Sequence, residues 1–481
     1  MTPMSRLPAL AAAPRVLPCL LALLACPATA LAQTTPAVSS IVSFSGSSAA
    51  NTPVFGPDGS LYGVNSVGGV VTSGLIYRLA LNPPSITTQY QIQNTQGFAP
   101  VGGLLLGSDG LLYGTTSIGS LTTANSSGTV FRLAPDGTGF TVLHDFAPFS
   151  TFNIVSDPVN TDGARPETEL TEGSDGFLYG VAPVGGANGT GVVFKIAKDG
   201  SGFAVLHAFD AVIPADADNN GVQDLPTKNT EGMGSVAPLL LYTDGYLYGV
   251  AGEGGANGAG TIFRILPDGT GFDVVHTFAA LVDSTTTPDT NVDGAQSVAG
   301  LTDGGDGRLY GVASLGGANG FGAVFAFDPG TRVLTVLHDF DQEDGSQPTG
   351  ELLLGEDGAL YGTTAFGGNL TCGVSGGCGT IFSLARDGSG FDSLFSFNYS
   401  GGSAPSSRLL QLDANTFIGL AQSGADCGFG TVYQFSLTGD TVSGITNCGR
   451  KKKSNSGGGS TTPGLLLLLG GALAARRLRR R

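Results

Sequence analysis

The chain has 481 residues, of which 78 are glycine, with 12% charged and 41% hydrophobic side chains. Glycine this abundant without a Gly-X-Y period excludes collagen, and the frequency of apolar runs excludes disorder, leaving a fold of short strands and many tight turns. The formal net charge is −16, yet both ends are basic: residues 1–32 carry Arg6 and Arg15 and no acid, and residues 451–481 carry eight basic side chains and no acid. The body between them holds 12 of the 22 basic residues and all 38 acidic ones. That charge repels phosphate backbones, argues against nucleic-acid binding, and suits a soluble extracellular protein able to attract divalent cations.

Arg6 and Arg15 precede an apolar stretch, Val16 to Ala25, and small residues end in Ala30-Leu31-Ala32 before Gln33. This is the layout of a secretory signal, with signal peptidase cutting between Ala32 and Gln33. Leu23-Leu24-Ala25-Cys26 offers a competing reading as a lipobox with Cys26 lipidated, although Pro27 is awkward for that chemistry. A structural helix over 16–32 is the bland alternative.

From residue 40 onward one phrase recurs: Asp-Gly-x-Leu-Tyr-Gly, Gly-Gly, Gly-Thr-x-Phe, Asp-Gly-x-Gly-Phe, Leu-His-x-Phe. Its tyrosine is Tyr62, Tyr113, Tyr179, Tyr248, Tyr310 and Tyr361, and a worn seventh copy has Ile418 in that place. A constant motif at unequal spacing means a fixed unit with variable loops. In the second copy the pattern predicts four strands, Gly103–Leu106, Leu111–Thr116, Gly128–Leu133 and Phe140–Phe146, with Asp-Gly turns after the first and third. Four antiparallel strands per unit is a propeller blade. Ser40-Ile41-Val42-Ser43-Phe44 resembles the fourth strand of a unit, whereas the last copy has only a weak fourth strand at Thr441–Ile445. The fold class expected is therefore all-β: a seven-bladed β-propeller of four-stranded antiparallel blades, closed by an N-terminal strand that leaves no open edge. An open β-solenoid is the alternative.

The repeat accounts for most candidate chemistry. His144, His207, His276 and His338 all occupy one repeat position, so they read as packing elements, hydrogen-bonded to the next turn. Strand alternation would put His144 on one face with Phe140, Val142 and Phe146. Spread around a ring they cannot converge as a Ser-His-Asp site needs. Asp58, Asp109, Asp175, Asp244, Asp306 and Asp357 precede glycine in turns, where backbone bonds explain them. The loops Gly185–Gly189, Gly254–Gly258 and Gly316–Gly320 lack the lysine and helix of a phosphate cradle and read as blade loops. One non-repeated segment carries metal chemistry. Asp216, Asp218, Asn220, Val222 (through its carbonyl) and Asp224 stand at calcium-loop spacing, with Gly221 at the sharp turn. Thr227 replaces the usual glutamate, so this is a calcium loop without the full EF-hand, or else an acidic solvated loop. Asp289–Gly294 echoes it, but Asp293-Gly294 aligns with Asp162-Gly163 and Asp344-Gly345 of the repeat.

Four cysteines remain in the body. An even number in an exported chain implies disulfides, paired as Cys372 with Cys378 and Cys427 with Cys448; irregular spacing and no nearby histidine speak against zinc. At the C-terminus, Ser456-Gly457-Gly458-Gly459-Ser460 leads into an apolar stretch, Pro463–Ala475, and an arginine cluster. The stretch is short for a spanning helix of about 20 residues, and the arginines fit the positive-inside rule. The order of linker, apolar helix and arginines resembles the GlyGly-CTERM sorting signals of Gram-negative bacteria. That resemblance implies cleavage near Gly457, Gly458 and Gly459 by a rhomboid-type protease, with release or anchoring at the cell surface; a plain tail anchor is the alternative. The chain thus divides into a signal (1–32), a repeat body (33–449) and a sorting tail (450–481).

The repeat units, through Asp109-Gly110-Leu111-Leu112-Tyr113-Gly114-Thr115-Thr116, Gly367-Gly368 and Gly379-Thr380-Ile381-Phe382, resemble the GloVer tandem repeat of bacterial surface proteins with interchangeable (choice-of-anchor) tails. The resemblance spans roughly residues 40–440 and implies location and architecture, not an activity. The expected function is a non-catalytic binding or structural module for an unknown extracellular ligand, in adhesion or glycan binding. The alternative is an extracellular hydrolase or lyase acting on polysaccharide. Two or more non-repeat carboxylates within about 10 Å at the channel mouth would favour the enzyme; a repeat-only channel would favour binding.

Overall fold

The Asp-Gly turn organises six of the seven units, the last having Asp413-Ala414-Asn415 in its place. In the structure, a computed structural model that describes residues 35–44, 51–66, 73–119, 127–149, 159–213, 228–282, 288–441 and 445–446, Asp109 serves two bonds at once. Its Oδ1 accepts the Leu111 N–H at 3.2 Å and its Oδ2 accepts the Tyr113 hydroxyl at 2.7 Å. One carboxylate therefore closes the turn and tethers the strand that follows. The tyrosine bond recurs at Asp175–Tyr179 (2.6 Å), Asp244–Tyr248 (2.8 Å), Asp306–Tyr310 (2.8 Å) and Asp357–Tyr361 (2.9 Å). The glycine after the tyrosine is a seat for the cross-strand phenylalanine: a Cβ on Gly249 would lie 2.3 Å from Cζ of Phe263.

Each unit forms one antiparallel sheet in chain order. The second has strands Leu105–Leu106, Leu112–Thr116, Thr129–Leu133 and Thr141–Asp145, in the register Leu105↔Tyr113, Leu112↔Leu133 and Thr129↔Asp145. The first strand is shorter than its apolar run suggested. Seven such blades make a seven-bladed β-propeller. The core is divided the same way, into seven apolar clusters that each straddle two consecutive blades.

The seventh cluster closes the ring. It joins Ile418, Leu420 and Val432 of the last blade to Leu61, Tyr77 and Leu79 of the first, through Ile41, Val42 and Phe44. Ala37–Ser43 is the fourth strand of the last blade, antiparallel to Thr431–Ser436 with Ala37 opposite Ser436. Thr431 Oγ1 donates to the Val42 carbonyl at 2.8 Å, and the Phe44 N–H to the Gly430 carbonyl at 3.1 Å. Seven inter-blade cores exclude the open solenoid. The weak C-terminal strand is displaced from its expected role: Ile445–Thr446 lies parallel to Val42–Ser43, outside the four-stranded blade.

Alternation fails at one position in every blade. The fourth strand carries a β-bulge, so Val130 pairs with His144 while its neighbour Phe131 pairs with Val142, leaving Leu143 as the extra residue. The same irregularity recurs in the other six blades, and Ile41 is the extra residue of the closing strand. A bulge reverses the side-chain alternation beyond it. His144 and Phe146 therefore face the third blade, while Phe131 and Phe140 pack toward the first. The expectation that His144 shares a face with Phe140 and Val142 is corrected accordingly. The bulge carbonyl also meets the next blade's Asp-Gly turn: a Cβ on Gly137 would lie 2.2 Å from the Gln89 oxygen.

Five blades place phenylalanine opposite the seat glycine, but the first and last place Tyr77 and Tyr433. Both hydroxyls are buried without a hydrogen-bond partner, and burial pushes both phenols above their ordinary range. Removing an unpaired buried hydroxyl recovers its desolvation cost of about 1–3 kcal/mol. Tyr433→Phe should thus raise the denaturant midpoint at unchanged m-value; a lowered midpoint would contradict the packing described.

Candidate functional site

The residues singled out from the repeat are consumed by the scaffold. Each histidine Nε2 pairs with an acid just before the next blade: His144 with Asp162 (2.9 Å), His207 with Glu231 (2.8 Å), His276 with Asp293 (3.1 Å) and His338 with Asp344 (2.7 Å). The rings of His144, His207 and His338 stack at 3.5–3.6 Å on Phe203, Phe272 and Phe391 of the following blade. For His276 the corresponding position is Leu334. The echo at Asp289–Gly294 is repeat architecture, since Asp293 is the partner of His276. The glycine loops cradle asparagines: Asn160 Oδ1 accepts the Gly163 and Gly186 N–H groups, and Asn188 Nδ2 donates to the Phe209 carbonyl at 2.8 Å.

Cys372 and Cys378 form a disulfide, as expected, and Cys427 is disulfide-bonded too. Its expected partner Cys448 lies outside the described residues. So do Asp216, Asp218, Asn220, Val222 and Asp224 of the calcium loop, the cleavage pair Ala32 and Gln33, Gly457, Gly458 and Gly459, and the apolar stretch Pro463–Ala475. Among the described residues no helix is long and apolar enough to cross a membrane, and no group of three or more His, Cys, Asp or Glu side chains could hold a metal ion.

What the repeat does not explain sits in the central channel. Just before each innermost strand, ten residues before the tyrosine position, one residue per blade lies there: Thr52, Gly103, Glu169, Pro238, Gly300, Glu351 and Arg408. Four are small or apolar and three are charged. Arg408 Nη1 donates to Glu351 Oε1 at 3.1 Å. Each glutamate lies over a glycine at the same position of the preceding blade. A Cβ on Gly103 would approach Glu169 Oε2 to 3.0 Å, and one on Gly300 would approach Glu351 Oε2 to 2.7 Å. The trio separates a narrow space of about 70 Å³ on the loop side from a wider cavity of about 450 Å³ toward the turn face. The channel is thus not repeat-only. Position-by-position alignment of the copies is the signal that finds these residues; attention to the recurring phrase passes over them.

Burial raises the carboxyls of both Glu169 and Glu351, and Arg408 opposes the rise in each. Glu169, which also feels the Glu351 charge, is pushed up to about 7. No donor among the described residues bonds its carboxylate.

A second surface is set by topology. The first-to-second and third-to-fourth strand turns lie at one end of the ring, and the second-to-third and blade-to-blade connections at the other. The latter vary in length. They carry Ile118, Ile213, Val282, Val292, Leu370, Tyr399 and Phe429, seven of the eight exposed large apolar side chains among the described residues. Val333 is the eighth.

A carboxyl held at about 7 when folded, against an ordinary 4.5, keeps a proton that the unfolded chain releases. Stability is then lost as pH rises from about 4.5 to about 7. Glu169→Gln removes that term, so its melting temperature should gain on the wild type across this window. Parallel pH profiles for the two proteins would contradict the assignment.

None of the curated proteins matches this chain. Solved structures that resemble it do so at the level of fold. The extracellular domain of a one-component system from B. thetaiotaomicron aligns at 12% identity over 84% of this chain and 40% of its own, with a TM-score of 0.46. The GH74 xyloglucanase from Xanthomonas campestris aligns at 12% identity over 80% of this chain and 52% of its own, with a TM-score of 0.50. An oligogalacturonate lyase in complex with manganese aligns at 13% identity over 83% of this chain and 90% of its own, with a TM-score of 0.48. The chain spans less than half the length of the first of these. The profile of the Gloeobacter/Verrucomicrobia repeat matches residues 29–226 and 225–375, most of the body, and the chain belongs to that tandem-repeat family.

Proposed function

We propose that this protein is an exported, non-catalytic binding module, displayed on or released from the bacterial outer envelope, which engages an extracellular glycan through its loop face. The observation that carries this reading is that seven of the eight exposed large apolar side chains among the described residues lie on the face where the loops vary. An apolar surface turned to water on one side of a ring is the mark of an interaction site, and on a repeat scaffold function follows the variable loops. Signal peptidase would remove residues 1–32, and a rhomboid-type protease would process the tail near Gly457–Gly459. Asp216, Asp218, Asn220, Val222 and Asp224 belong in sequence to a blade-to-blade connection whose described ends, Ile213 and Lys228, pair at the loop face, and these residues would hold Ca²⁺.

A polysaccharide hydrolase or lyase is the second reading, and one observation favours it: Glu169 and Glu351 are non-repeat carboxylates in one channel. Against it, Glu351 is engaged by Arg408, which leaves one free carboxylate where acid and base would both be needed.

The test is a glycan array with the purified secreted protein and a Val292→Ser/Phe429→Ser variant. The expected result is binding to at least one polysaccharide, weakened about tenfold or more in the variant, with no sugar released. Binding that ignores both substitutions would refute the loop-face reading. Glycan cleavage abolished by Glu169→Gln would establish the enzyme instead.

A further inference from the structure

The two channel glutamates occupy equivalent places but are answered differently. Each stands at the same position of its blade and lies over the glycine of the preceding blade, Glu351 over Gly300 and Glu169 over Gly103. In the blade after Glu351 that position is Arg408, whose Nη1 donates to Glu351 Oε1 at 3.1 Å. In the blade after Glu169 it is Pro238, which has no group to donate. Glu169 is left without a donor among the described residues. Pro238 and Glu169 both border the narrow space of about 70 Å³ and the wider cavity of about 450 Å³. Where Glu351 has an arginine beside it, Glu169 has open space.

The charges that face this carboxylate leave it unanswered. Glu351 and Arg408 meet it at the inner end, where two carboxylates share one guanidinium that is already engaged. At the turn-face mouth, Glu172 is held by Lys198 at 2.5 Å and by the Ser108 hydroxyl at 2.6 Å, so that lysine is taken as well. A divalent cation needs several anionic or carbonyl oxygens, whereas one carboxylate is free here. An anion would meet net negative charge, and a neutral donor would forgo the charge-assisted bond. The protein shows on Glu351 what such a place accepts. A guanidinium is planar, can give a carboxylate two parallel N–H bonds, and is more weakly hydrated than an ammonium, so it loses less on leaving water. A cavity of about 450 Å³ is of the size that holds a small molecule.

We propose that the central channel binds a small guanidinium compound, its planar cation seated on Glu169 beside Pro238, as the chain's own Arg408 is seated on Glu351. This site is separate from the loop face, so the failure of glycan binding there leaves it untouched. Burial raises the Glu169 carboxyl to about 7, and a cation seated on it offsets that penalty, so ligand binding and ionisation of Glu169 reinforce each other. Affinity is then full above that value and lost as pH falls through it. Gly103 serves the same end, since a side chain there would crowd the glutamate out of its place against the wall.

The experiment is calorimetric titration of the purified protein at about pH 8 with methylguanidinium, kept below denaturing concentration, using methylurea, methylammonium, acetate and calcium chloride as controls. Methylguanidinium should bind at least about tenfold more tightly than its neutral isostere methylurea or than methylammonium. Its affinity should be about tenfold lower at about pH 6, where a carboxyl at about 7 is mostly protonated. Glu169→Gln should remove the preference for methylguanidinium. Pro238→Arg should abolish binding, because it supplies the missing arginine from the chain itself. Should either variant not fold, the controls and the pH dependence decide on the wild-type protein alone. Equal binding of methylurea or methylammonium, affinity unchanged between the two pH values, binding that survives Glu169→Gln or Pro238→Arg, heat from calcium or acetate in place of methylguanidinium, or no binding at all would each overturn the proposal.

Discussion

The fold depends on the joint between neighbouring blades. A bulge in each fourth strand turns the residues beyond it, His144 and Phe146 in the second blade, toward the next blade. There the histidine meets two groups that chain order has placed beside it. An acid just before the next blade accepts its Nε2–H, and a phenylalanine at the start of the next fourth strand stacks on its ring. The bulge carbonyl packs on the glycine of the next Asp-Gly turn. One joint thus explains why Leu-His-x-Phe and Asp-Gly-x-Gly-Phe recur together. The first belongs to one blade and the second to its neighbour, and neither is satisfied alone. The N-terminal strand obeys the same rule, with Ile41 as its bulge residue and Phe44 in the last phenylalanine position. It is a blade strand that happens to come first in the chain.

The repeat made most of this fold legible. Asp-Gly turns, the spaced tyrosines and the fourth-strand character of residues 40–44 are local signals, and the sheets follow them closely. The Cys372–Cys378 bridge was legible for a similar reason, since only five residues, three of them glycine, lie between the pair. The bulge was hidden because both faces of the fourth strand are covered by apolar neighbours, so inserting one residue leaves no break in the hydrophobic pattern. The parallel docking of Ile445–Thr446 was hidden because it depends on a partner about 400 residues earlier. The channel trio was hidden for the opposite reason. Glu169, Glu351 and Arg408 break the repeat, at a position that is Thr52, Gly103, Pro238 and Gly300 in the other blades.

That contrast also separates scaffold from function. Histidines, turn aspartates and loop asparagines each have their hydrogen bonds met by the ring, and a group whose bonding capacity is satisfied inside the fold has little left for a ligand. Among groups open to a ligand, what remains unmet is the Glu169 carboxylate inside the channel and the apolar tips on the loop face. A rigid ring with seven cores keeps both in place. The variable connections can change length without disturbing the joints, because the bulge, the histidine and the turn glycine all lie within the blades or at their very edges.

The channel exists only if the ring is closed, and closure rests on Ala37–Ser43. Amide hydrogen exchange reads this directly. If the ring is closed, the amides of Ala37–Ser43 bonded to Thr431–Ser436 exchange as slowly as those of the interior strands Leu112–Thr116 and Thr129–Leu133. Fast exchange in Ala37–Ser43, with the other blades still protected, would contradict it and leave an open array without a channel.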